Sequence, residues 1–406
     1  MIRGTPIEAI LRHVTPILLV CLFLLTTGVR PGEADRDYAG EVRLILPPVI
    51  YAAPGIETNV YFENVCLMLN AANYAFDVHS PKGLHLQERW TYTPKVDEAG
   101  NYPLTIEVRD ALNKVVGRGS TTVHVARPDA GTQGIATLLM IGASLTERSV
   151  YPQHVLNLSI RDPYLTLKFV GSRGPNNLPP TGELRHEGYS GWTAQAFVTR
   201  EGPLSRSGYH KRPETGSPFV YKDSSGKPVL DFKRYCEEFN GGDPPDFMTI
   251  QVGINDTWTS TDETINKRID EMFTYYDQLV TMVRNFGSQT RIGVFVVSPP
   301  SSSQDGFRNY RGAAKQTRWQ VRRNQHRLVE RFIAHYGGRE REQIYLMPVY
   351  LNLDTANHYP TFNSPRSARS SESVDRVNDG THPNEAGYQQ NGDVIFCWIK
   401  SMLGNN

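Results

Sequence analysis

Residues 136–146 read ATLLMIGASLT, an unbroken apolar run that ends on Gly142 and passes within two residues to Ser144. Apolar residues without alternation are the pattern of a strand buried on both faces. A helix is expected to start near Thr146, so the Ser144 hydroxyl is displayed at the strand's carboxyl edge. Backbone N–H groups of a first helical turn also favour negative charge there. Taken alone the pattern is weak, because serine is also an ordinary helix cap.

Four similar runs follow, LTLKFVG (165–171), FMTIQVG (247–253), RIGVFVVSP (291–299) and IYLMPVYL (344–351). Helical patterns at about 146–160, 191–200, 263–286, 311–336 and 383–402 separate or follow them. Apolar strands alternating with helices predict an α/β fold, a three-layer α/β/α sandwich with a parallel five-stranded sheet, whose site lies at the carboxyl ends of the strands. Two inserts, 201–240 and the Ser/Arg-rich 355–378, interrupt the alternation. Long structureless inserts in a compact domain are more often functional rims than accidents.

Upstream, residues 40–127 hold short alternating runs between turn signals: VRLIL, ETNVYFENVCLML, ERWTYTP, YPLTIEVRD and STTVHVA. They predict a small all-β sandwich domain. In DEAGNYPLTIEV, Asp97, Gly100 and Tyr102 precede a strand and resemble the tyrosine corner of immunoglobulin-like domains. The linker RPDAGTQG (127–134) separates this domain from a catalytic one at 135–406.

In the first thirty residues, Arg3 and Arg12 precede the apolar run PILLVCLFLLTTGV (16–29), and Gly-Glu-Ala follows at 32–34. Residues 1–34 are therefore expected to be a signal peptide, and the protein to be secreted or periplasmic. The run falls short of the ~20 residues of a spanning helix, so no transmembrane anchor is expected after its removal. A lipoprotein site at Cys21 is disfavoured, because Val20 is not small and apolar residues continue beyond it.

The 406 residues carry 43 basic and 42 acidic side chains, a net charge of +1. That length suits two domains with cores of their own, and that balance gives no global field for nucleic acid or a membrane surface. Beyond the leader, Cys66, Cys236 and Cys397 are widely spaced and form no metal-ligand pattern. Buried free thiols are expected, and no metal or cofactor.

Near the C-terminus, NDGTHPNEAGY sets Asp379 and His382 three residues apart on a loop, with Pro383 suited to a first helical position. A serine hydroxyl needs a general base of matched pKa, and an imidazole oriented by a carboxylate supplies one. Between the two ends lie HEGYSGWTA (186–194), with Gly191, and QVGINDTW (251–258), with Asn255 directly after a strand. These four ordered pieces, GxSL, SGxT, GxND and DxxH, resemble the four blocks of the SGNH (GDSL-like) hydrolases over residues 135 to the C-terminus.

The resemblance implies Ser144 as nucleophile, His382 as general base and then acid, and Asp379 as its partner. It further implies an oxyanion hole made by the backbone N–H groups of Ser144 and Gly191 and the side-chain amide of Asn255. One departure is present. The first block usually reads Gly-Asp-Ser-Leu, and Ala143 stands in the Asp position, so a local hydrogen bond is expected to be lost.

Trp192, Trp258 and Tyr189 lie close in sequence to the oxyanion donors. Flat rings there suit stacking on a sugar, and packing beneath the pocket is the equal alternative. Arg311, Lys315, Arg318 and Arg322 make a cationic stripe on one helix whose core side is Trp319, Leu328, Val329, Phe332 and Ile333. A solvated face is the default. With Arg366, Arg369 and Arg376 of the insert, the stripe would form a cradle for a sulfated or uronic-acid polysaccharide.

The leading expectation is an exported serine esterase acting on O-acetyl or other short acyl esters, on a small or polymeric carbohydrate, through an acyl-enzyme. A lipase, lysophospholipase or thioesterase is the nearest alternative. A noncatalytic carbohydrate-binding surface protein of the same fold is the alternative from another class.

Overall fold

The structure is a computed structural model, described here for residues 42–131, 134–175, 182–203, 215–308 and 316–404. The expected signal peptide and Cys21 lie outside the described residues, as do Arg311 and Lys315.

The N-terminal elements are β1 (Val49–Ala52), β2 (Thr58–Tyr61), α1 (Phe62–Val65), β3 (Ala75–His79), β4 (Leu84–His85), β5 (Arg89–Tyr92), β6 (Gly100–Arg109) and β7 (Val115–Val125). They form two sheets, β1-β7-β6-β3 and β2-β5-β4. Trp90 of one sheet and Leu104, Ile106 and Val123 of the other enter the same buried cluster. The Tyr102 hydroxyl donates to the Glu98 carbonyl at 3.0 Å, tying the start of β6 to the turn before it. Two details differ from expectation. VRLIL makes only an isolated bridge, Leu44 to Cys66, and the middle of ETNVYFENVCLML turns into α1.

The second part begins with β8 (Ile135–Gly142), followed by α2 (Ser144–Glu147), α3 (Val150–Arg161), β9 (Thr166–Val170), β10 (Glu187–Gly188) and α4 (Ala194–Thr199). The hairpin β11 (Val220–Lys222) and β12 (Pro228–Leu230) leads to α5 (Phe232–Phe239), β13 (Phe247–Gln251), α6 (Ile254–Thr257) and α7 (Ile265–Phe286). Next come β14 (Arg291–Phe295), α8 (Asp305–Arg308), α9 (Arg318–Tyr336), β15 (Ile344–Met347) and α10 (Val349–Asn352). The hairpin β16 (Thr361–Pro365) and β17 (Ser373–Val377) and the closing helix α11 (Glu385–Leu403) complete the chain.

The sheet is parallel and five strands wide, β9-β8-β13-β14-β15, with the short β10 continuing the β9 edge of β8. The expected two-faced burial is present. Leu139 and Ile141 of β8 enter one apolar cluster with α7 and α9, while Leu138 and Met140 enter another with α3 and α11. Both inserts contain a hairpin, so neither is structureless.

Helix limits differ where local backbone chemistry intervenes. The helix expected over 146–160 starts at Ser144 and breaks at Ser149, a left-handed residue with φ 62°. Pro383 is not the first helical position of the last helix. Asn384 caps α11, its side chain accepting the Gly387 N–H at 3.2 Å.

Of the cationic stripe, the two described members, Arg318 and Arg322, do not form a solvated face. Arg322 is only 4% exposed and pairs with the Glu63 carboxylate at 3.1 Å while donating to the carbonyls of Glu63 and Cys66. Arg318 pairs with the same carboxylate. Both side chains thus hold α1 of the β part against α9. Tyr350 donating to the Ile45 carbonyl and Asn64 donating to the Leu353 carbonyl reinforce the same junction. Arg366 and Arg376 are likewise engaged, with Glu372 and Asp305. Exchanging Arg322 for Ala strands the carbonyl of buried Cys66 and removes a partner of half-buried Glu63, and denaturant titration should show a loss of about 3 kcal/mol.

Candidate active site

Three carboxyl ends meet at one point. The last residue of β8, Gly142, pairs with Gly188 of β10 on one side and Gln251 of β13 on the other. Two residues past Gly142 stands Ser144, the first residue of α2, so its N–H has no carbonyl within the helix to bond. Ala143 occupies the N-cap position and supplies no side-chain cap; its own N–H is taken by the Gln251 carbonyl and side chain, both at 3.1 Å.

His382 arrives from the opposite end of the chain. Its Nε2 lies 2.8 Å from the Ser144 Oγ, and its Nδ1 lies 2.8 Å from the Asp379 Oδ2. A carboxylate can only accept, so Nδ1 carries the proton and Nε2 is left to accept from the serine hydroxyl. The other Asp379 oxygen accepts the N–H groups of Thr381 and His382 at 2.9 and 3.0 Å, which fixes the loop around it. Burial works to raise the Asp379 pKa, but the hydrogen bond and charge of His382 and these N–H groups outweigh it and hold it below the usual value. Arg148 stands 3.9 Å from the same carboxylate and is half exposed at the mouth.

The residues implied as oxyanion donors follow three strands that pair side by side at Gly142, Gly188 and Gln251. Gly191 has φ 77°, a left-handed conformation that suits glycine, and a Cβ there would project into open space. Asn255 donates one N–H of its amide to the Trp192 carbonyl at 2.9 Å, which leaves the second for a ligand. Asp256, which the sequence reading did not single out, ties these pieces together. Its two oxygens accept the N–H groups of Ala194 at 3.0 Å and Gly253 at 3.1 Å, linking the Gly191 loop to the Asn255 helix. Its adjacency to Asn255 in the GxND block was the available signal.

Two of the three aromatic candidates do not line the site. Tyr189 is fully buried and Trp192 is 1% exposed; their rings stack on each other at 4.1 Å, and the Tyr189 hydroxyl donates to buried Glu187. They form the floor beneath the Gly191 loop, because the chain turns inward at Tyr189 to join the core. Trp258 is half buried and does line a recess, together with Ile254, Thr257, Val297, Pro299 and Thr381.

Residues 138–395 match the family model of the GDSL-like lipases/acylhydrolases. The chain belongs to that family. It is accordingly a carboxylic ester hydrolase of the SGNH type, and the match begins inside β8 and ends inside α11, spanning every site residue named above. Similar solved structures include a carbohydrate acetylesterase family member from Sinorhizobium meliloti, at 14% identity, covering 66% of this chain and 99% of that chain, with a TM-score of 0.37. Another is the acetylxylan esterase Axe2 from Geobacillus stearothermophilus, at 15% identity, covering 67% and 96%, with a TM-score of 0.33. No curated protein matches the sequence.

Two outcomes follow for this GDSL-like site. Asn255→Ala should lower kcat by ~10²–10³ in steady-state assays while the thermal midpoint stays nearly unchanged. Burial pushes the Asp256 pKa up to about 6. An acid whose folded pKa is raised contributes stability that is present below its unfolded value and is lost as pH rises through the folded one. Unfolding titrations from pH 4 to 7, roughly the interval between the two values, should show this loss in the wild type and its absence in Asp256→Asn.

Proposed function

We propose that the protein is an exported serine esterase that removes acetyl or another short acyl group from a carbohydrate through an acyl-enzyme. The observation that carries this is the hydrogen-bonded chain from Ser144 through His382 to Asp379 at the carboxyl edge of the sheet. In the first half-reaction His382 Nε2 takes the Ser144 proton as Oγ attacks the ester carbon. The N–H groups of Ser144 and Gly191 and the Asn255 amide receive the developing oxyanion. His382 then gives its proton to the departing alcohol oxygen. Water, deprotonated by the same ring, releases the acid in the second half-reaction, while Asp379 keeps the imidazole oriented and stabilises its charged form.

A short acyl group is favoured by the recess lined by Ile254 and Thr381, the chain neighbours of Asn255 and His382. Its apolar walls enclose about 30 Å³, room for about two water-sized groups. A hydroxylated alcohol is favoured by the polar rim. Arg148, Asn378 and the hairpin β16–β17, rich in Ser and Arg, flank the triad in space or in sequence. The pairing of Arg366 with Glu372 and of Arg376 with Asp305 favours a neutral polymer over a sulfated or uronic one. Export is supported by the leader pattern of residues 1–34, and an immunoglobulin-like character of the β part by the Tyr102 to Glu98 corner.

The test is turnover of p-nitrophenyl esters and acetate release from acetylated neutral polysaccharides. The wild type should prefer the acetyl to the octanoyl ester by ~10-fold or more in kcat/KM, and Ser144→Ala should lose at least ~10⁴ in kcat. Equal rates for wild type and Ser144→Ala would contradict the reading.

A further inference from the structure

A second cleft, of about 400 Å³, lies where the β part meets the α/β part. That volume is within the ~300–1,000 Å³ usual for small-molecule sites. The cleft is remote from Ser144: Arg291 opens β14 and Tyr345 lies near the start of β15, so it sits at the amino ends of strands whose sheet carries Ser144 at the carboxyl end of β8. We propose that this cleft binds a neutral oligosaccharide, as a second contact for the polymer whose esters the catalytic site removes. The proposal rests on the carbohydrate reading above and extends it to a different surface.

The wall contributed by the β part is a row across three neighbouring strands. Tyr51 of β1 is paired with His124 of β7, and His124 with Asn101 of β6. Residues in register point to the same face of a sheet. The Tyr51 and His124 rings meet edge to face at 6.5 Å. His124 Nδ1 lies 2.7 Å from Asn101 Oδ1, so this nitrogen donates, Asn101 keeps its NH₂ as donor, and the far ring nitrogen is an acceptor. Burial lowers the His124 pKa, which keeps that nitrogen unprotonated at neutral pH.

The facing wall, from the α/β part, contributes Arg291, Glu340 and the half-buried Tyr345. The Arg291 guanidinium lies over the Phe247 ring at 5.3 Å, and neither it nor the Glu340 carboxylate has an ion-pair partner among the described residues. Opposite charges on one rim leave it without a net charge to favour an anion or a cation. Polar groups on both walls select against an acyl chain. What fits is a neutral polyol with an apolar face: carboxylate, amide and guanidinium each bridge neighbouring hydroxyls, and the half-buried Tyr345 ring takes the C–H face of a pyranose, while Tyr51 is buried and backs the wall. Neither part of the chain makes the cleft alone, which gives the fused β part a role in substrate capture.

The experiment uses the full chain carrying Ser144→Ala and titration calorimetry with xylohexaose, cellohexaose and mannohexaose. At least one should bind saturably, and adding Asn101→Ala with Glu340→Ala should weaken it about tenfold or more. In the active chain, the same double substitution should leave p-nitrophenyl acetate turnover unchanged and slow acetate release from the acetylated form of the polymer that binds. Absence of binding by all three, or affinity unchanged by the double substitution, would overturn the proposal. Turnover of p-nitrophenyl acetate separates the two failures: if it persists, the esterase reading stands and only the second site falls.

Discussion

The pairing of Gly142 with Gly188 on one side and Gln251 on the other is the constraint from which the site is built. From that line the chain advances two residues to Ser144, three to Gly191 and four to Asn255, so the three proposed oxyanion donors are placed by sheet register. A Cβ on Gly188 would run into the backbone of Glu147, so the close approach of β10 to α2 requires glycine there. Strands apolar on both faces lack the alternation that usually sets register. Close contacts and polar ties at their ends therefore carry that task.

Much of this tying is done by buried polar groups beneath the Gly191 loop. Glu187 is fully buried and accepts from the Ser172 N–H and hydroxyl and from the hydroxyls of Tyr189 and Tyr235. Burial raises its pKa, and the four hydrogen bonds oppose that rise. Arg173, also fully buried, lies over the Tyr189 ring at 4.7 Å. Such groups are expensive to desolvate unless they are bonded, and once bonded they hold a single geometry. Asp256 does the same between the Gly191 loop and α6. Pre-organised donors are what stabilise an oxyanion, because they need not reorient as charge develops.

The fold class and the parallel sheet were legible because uninterrupted apolar runs alternate with helical patterns. The encounter of Ser144, His382 and Asp379 was legible because each sits in a short block whose spacing carries its chemistry. Less legible were features decided by tertiary contact. Tyr189 and Trp192 read as possible sugar platforms, and nothing local reveals that the chain turns them into the core. Arg318 and Arg322 read as a solvent stripe until α1 brings Glu63 and two free carbonyls against them. The break at Ser149 depends on a left-handed residue, which a helical pattern through residues 146–160 conceals.

The central claim is that Ser144 is a nucleophile activated by His382. Treating the protein with paraoxon and locating the adduct by peptide mass spectrometry tests this most directly. The account predicts one diethylphosphoryl group on Ser144, with labelling lost in His382→Ala protein that remains folded. Esterase activity that survives paraoxon with Ser144 unmodified, or an inactivating adduct on a different residue, would contradict it.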